Sequence, residues 1–76
     1  MTDKETYDLL SEEDMMEIKI LADNDMNCAK TAAAMYMHRN TLVYRLTMVR
    51  RKVGLDPRRF WELRELIRII DKYEGG

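Results

Sequence analysis

His38, Arg39, Asn40 and Thr41 stand in one run, followed by Tyr44, Arg45, Thr47 and Arg51. Arginine and asparagine present paired hydrogen-bonding groups that match guanine and adenine edges in the DNA major groove, while threonine and tyrosine suit phosphate oxygens or a thymine methyl. A helix is the element that must carry them. Leu42, Leu46, Val49 and Val53 recur at helical spacing, so over 39–53 they form one narrow apolar seam that points inward. Asn40, Tyr44, Thr47 and Arg51 then fall on the opposite face. Arg39, Asn40 and Thr41 crowd the first turn, where unpaired backbone N–H groups also project, and His38 is placed to cap it through a ring nitrogen. Arg45 lies nearer the seam, where pairing with an acid of an earlier helix competes with contact to phosphate.

Catalytic chemistry finds no comparable constellation. The acid pairs Glu12 with Glu13 and Glu62 with Glu65 sit on helix surfaces without a nucleophile or a glycine-rich loop beside them. One cysteine, Cys28, and one histidine exclude an internal disulfide and a structural zinc site. Cys28 reads as a small buried residue and the seven methionines as core and turn fillers. No cofactor is expected.

The net charge of −1 conceals strong segregation. Residues 1–27 carry nine acids against Lys4 and Lys19, a balance of −7, whereas residues 38–59 carry seven bases against Asp56, a balance of +6. Such a dipolar chain turns its basic face to a polyanion, and its acidic segment limits non-specific sticking. With no long apolar run and no leader, a cytoplasmic protein without membrane contact is expected.

At 76 residues one small core is the limit, and the periodicities make it all-α: a bundle of four or five helices containing a helix-turn-helix. Residues 1–10 read as a linker or a short helix. Ser11-Glu12-Glu13-Asp14 resembles a capping box and opens a helix with Met15, Ile18, Leu21 and Ala22 inward. Asp23 to Asn27 make a turn, and Asn27 caps a short helix through Met35, whose Ala32 or Ala33 permits close crossing with the helix over 39–53. Tyr36-Met37-His38 forms the tight turn between these two helices, with Met37 plugging the corner. Gly54 ends the 39–53 helix, Asp56 reads as the next N-cap and Pro57 as a first helical residue. The last helix has Phe60, Leu63, Ile67 and Ile70 as its core seam, which leaves Trp61, Leu66, Ile69 and Tyr73 as surplus apolar surface. The domain is expected to span 11–73, with 74–76 a flexible tail.

Asn27-Cys28, Ala32, Met35, Met37, the string His38-Arg39-Asn40-Thr41-Leu42 running into Tyr44-Arg45-Leu46, and Gly54-Leu55-Asp56-Pro57 closely resemble the C-terminal helix-turn-helix domain of PucR-type and sugar-diacid (CdaR-type) bacterial transcriptional regulators. That domain is in turn similar to the DNA-binding end of the Fis nucleoid protein. The resemblance covers roughly residues 14–70 and implies a sequence-specific DNA-binding module at the end of a longer regulator. Two positions depart from it: Met26 stands where the family usually has glycine, and Val43, also expected on the DNA side, stands where a basic residue is common.

The leading expectation is thus a module that binds double-stranded DNA with the helix over 39–53 in the major groove. A homodimer contact or an upstream sensor domain is expected to cover Trp61, Ile69 and Tyr73. Two other readings stand beside it, a helical protein-interaction module and a Fis-like architectural protein with little sequence preference. Salt dependence of duplex binding separates the first from DNA binders, and the ratio of specific to random affinity separates the second.

Overall fold

The computed structural model describes residues 1–75 and builds them into five helices, with no strand among those residues. Local hydrogen bonding explains where each begins. The N-terminal segment is the short helix rather than a linker: α1 (Asp3–Leu9) is opened by Thr2, whose hydroxyl accepts from the Glu5 N–H while the Glu5 carboxylate accepts from the Thr2 N–H. α2 (Glu12–Asp23) starts at the expected box, with Ser11 Oγ accepting from the Asp14 N–H and Asp14 Oδ2 from the Ser11 N–H, both at 3.0 Å. Asn27 Oδ1 accepts from the Lys30 N–H at 2.9 Å and opens α3 (Cys28–Ala34). α4 (Arg39–Val53) ends on Gly54, whose φ of 76° is the left-handed cap conformation that suits glycine.

α2 is the central helix, packed against α3, α4 and α5. It presents Met15, Ile18 and Leu21 to the seam of Leu42, Leu46, Val49 and Val53 on α4, all buried, and Ala32 on α3 is the small residue that lets the brace approach. Ala33 faces solvent, and Met37 is half-buried against the core at the corner. The turn before α3 takes Asp25 and Met26 through φ of 54° and 64°, so the chain achieves with ordinary residues what the family usually assigns to glycine.

The last helix differs from expectation in two ways. α5 (Phe60–Glu74) begins three residues after Pro57, because Asp56 is occupied in a turn: its Oδ1 accepts from the Arg58 N–H and its own N–H donates to Glu62 Oε1, each at 2.9 Å. Arg59 holds the N-cap position and makes no side-chain cap bond. The helix is also rotated from the expected seam. Leu63, Leu66, Ile69 and Ile70 are buried, Ile67 is half-buried and Phe60 is exposed. The cause is α1, which packs along α5 with Thr6 buried and Tyr7 tilted on Tyr73 at 5.4 Å between ring centroids. Asp3 pairs with Arg68 and Lys72 at 3.1 and 3.4 Å across the same seam. Of the four residues expected as surplus apolar surface, Leu66 is therefore fully buried, Ile69 is 2% exposed and Tyr73 is covered by α1, while Trp61 remains 72% exposed. Glu74, expected in the tail, ends α5, and Gly76 lies outside the described residues. No helix among the described residues is long and apolar enough to cross a membrane.

Candidate nucleic-acid interface

α3, the turn at 36–38 and α4 set the interface. His38 closes the start of α4 as expected, its Nδ1 accepting from the Asn40 N–H at 3.0 Å. This bond orients the ring across the helix end and leaves the side chains of Arg39, Asn40 and Thr41 exposed around it. One turn on, Tyr44 is 64% exposed, and Arg51 completes the outward face near the C-terminal end. Thr47 and Val43 are half-buried, and the Thr47 hydroxyl donates to the Val43 carbonyl oxygen at 2.9 Å, so it is partly engaged within the helix.

Arg45 is not on this face. Its Nε donates to Glu17 Oε1 and Oε2 at 2.8 and 2.6 Å and its Nη2 reaches Glu13, so of the two roles open to it the intramolecular pair is the one it takes. The two glutamates hold the guanidinium firmly charged, raising its pKa above the ordinary arginine value. Lys52, on the same flank of α4, pairs with Asp14. Burial pushes the Asp14 carboxyl upward, but Lys52 and the Ser11 N–H outweigh it and leave it below the usual aspartate value. Arg58 stabilises Asp56 in the same sense, and Arg59 pairs with Glu62 at 2.8 Å.

The apparent excess of +6 over residues 38–59 is thus partly neutralised by acids outside that segment: Glu13, Glu17 and Asp14 of α2 engage Arg45 and Lys52, and Glu62 of α5 engages Arg59. Among the described residues, the cations of α3 and α4 without an ion pair are Lys30, Arg39, Arg50 and Arg51. The helix is sorted by side: its inner flank is spent on α2, and its outer surface is polar with unneutralised charge. A major groove roughly 12 Å wide accepts a helix of this kind, and such cations displace counterions from phosphate. Lys30 was not singled out from the sequence, where it is one lysine among alanines; only its lack of an ion pair among the described residues distinguishes it.

A short helix that braces, across a tight turn, a longer helix with an exposed polar face is a helix-turn-helix. The chain belongs to the PucR C-terminal helix-turn-helix domain family, whose model matches residues 15–67, and it is accordingly a DNA-binding domain of transcription regulation. No curated protein and no solved structure matches the chain.

Proposed function

We propose that this domain binds double-stranded DNA in a sequence-specific manner, with α4 in the major groove. The observation that carries the reading is the outward face of α4, where Arg39, Asn40 and Thr41 are exposed at the helix start and Arg39 and Arg51 have no acid partner among the described residues. Arg39 and Asn40 read base edges, Thr41 and Tyr44 contact phosphate or a thymine methyl, and Arg51 neutralises phosphate further along. Thr47 and Val43 border this face and contribute shape. Arg45 serves the fold instead.

Selection on random duplexes followed by titration tests this. Arg39→Ala and Asn40→Ala should each weaken binding to the selected site by ~1–3 kcal/mol and relax base preference, with melting temperature nearly unchanged. Parent-like binding by both variants would remove α4 as the reading helix, and equal affinity for selected and random duplexes would favour an architectural protein.

One helix-turn-helix reads few base pairs, so regulators commonly set two across a two-fold axis, one DNA turn apart. The exposed Trp61, packed edge-on against exposed Phe60 with centroids 4.9 Å apart, is the apolar surface that α5 leaves open for such pairing or for an upstream sensor domain. We favour the homodimer. Sedimentation of the parent at high concentration should give a dimer that Trp61→Glu dissociates; a monomeric parent assigns the surface to another domain.

A further inference from the structure

Three residues other than glycine take positive φ, namely Asp25, Met26 and Tyr36 at 54°, 64° and 55°. This left-handed region disfavours any residue with a Cβ, least so aspartate and asparagine. At the first two positions the domain supplies the reason. Aspartate tolerates the conformation, and Met26 packs against the core, where burial offsets the strain. Tyr36 has neither justification. Its side chain is 98% exposed, and its hydroxyl has no partner among the described residues. The turn is held by backbone bonds, from the Tyr36 N–H to the Ala33 carbonyl at 3.2 Å and from the Met37 N–H to the Ala32 carbonyl at 3.0 Å. Glycine would make both bonds with less strain, so a bulky phenol here gives the fold nothing.

We propose that Tyr36 is a DNA contact whose phenol hydroxyl donates a hydrogen bond to a phosphate bordering the groove that α4 enters. The inference rests on α4 being the reading helix. In helix-turn-helix docking the helix before the recognition helix crosses the sugar-phosphate backbone, so the turn that joins the two is brought beside that backbone. Tyrosine hydroxyls are among the groups that fix a protein's register there. Lys30, exposed and without an acid partner among the described residues, adds positive charge on the helix leading into this turn. A protein partner seated on Tyr36 is the competing occupant, and DNA titration separates the two.

Tyr36→Gly and Tyr36→Phe are compared with the parent by thermal melting and by titration of a duplex the parent selects, at several salt concentrations. Tyr36→Gly should melt no lower than the parent yet bind about tenfold more weakly, the loss expected for one hydrogen bond to a charged group. A random duplex should lose a similar factor, because phosphate carries no sequence information. Tyr36→Phe should lose most of the same affinity. The salt slope should stay at the parent value, since a neutral phenol displaces no counterion, whereas Arg51→Ala should make it shallower. Parent-like affinity in Tyr36→Gly alongside weakened Arg39→Ala overturns the Tyr36 contact and leaves the reading helix standing. A parent that binds no duplex overturns both. Weak binding by Tyr36→Gly with full binding by Tyr36→Phe replaces hydroxyl donation with a ring contact, and a markedly lower melting temperature in Tyr36→Gly returns the residue to the fold.

Discussion

Arg45→Ala should lower the stability of the domain by ~3 kcal/mol, toward the low end for breaking a buried ion pair. The magnitude follows from what is left behind. Glu17 is 1% exposed, and its carboxylate is held by the Arg45 guanidinium; removing that partner strands a charge in the core. The Arg45 side chain is about one-third exposed, so water can enter the vacated space and soften the penalty. Urea denaturation measures the loss, and the double variant Glu17→Ala with Arg45→Ala should recover part of it, because neither charge then remains unpaired. A phosphate-binding Arg45 gives the reverse pattern, an unchanged midpoint with weaker and less salt-dependent DNA binding. The position thus separates a residue that holds α4 against α2 from one that touches DNA.

Elements governed by neighbours in sequence were legible, and those governed by distant packing were not. Ser11, Asn27, His38 and Gly54 act within a few residues of themselves, and each caps the helix that the pattern assigned to it. The α4 seam was equally clear, since Leu42, Leu46, Val49 and Val53 recur at helical spacing and all four are buried. α5 carries apolar residues on several sides, so sequence alone gives no unique inner face. Its rotation depends on α1, whose Tyr7 meets Tyr73 from the other end of the chain. Asp56 misled for another reason. A cap and a turn use the same aspartate-to-backbone bond, and only the Glu62 carboxylate receiving the Asp56 N–H identifies the turn. Charge behaved likewise: counting placed the excess on residues 38–59, but only the acids of α2 reveal that Arg45 and Lys52 are spent and that Arg39, Arg50 and Arg51 are not. The exposed polar face of α4 was visible in sequence as a set of residue types, while its division from the supporting flank required the fold.

Leu46→Ala should be the most destabilising single truncation in α4, at ~2–5 kcal/mol, the span seen when a buried leucine is cut to alanine. Leu46 is fully buried at the middle of the seam, between Leu42 and Val49, and belongs to the cluster that also takes in Ile18 and Leu21 of α2 and Leu66 of α5. Relaxation into the cavity is limited on both sides. α4 is fixed to α2 by the Arg45 and Lys52 pairs, and α3 is held to α4 through Ala32 and the tight turn, so neither helix can settle inward without breaking those contacts. The cost should therefore fall in the upper part of the range. The usual stability per residue gives a domain of this size ~4–11 kcal/mol, so such a loss takes away a large share of the total and the variant should melt far below the parent. DNA binding should fall by the unfolded fraction and recover on adding a stabilising osmolyte, with base preference intact because the outward face is untouched. Thermal melting decides the matter: a parent-like transition would mean that Leu46 is not in the core and that α4 presents a different face to DNA.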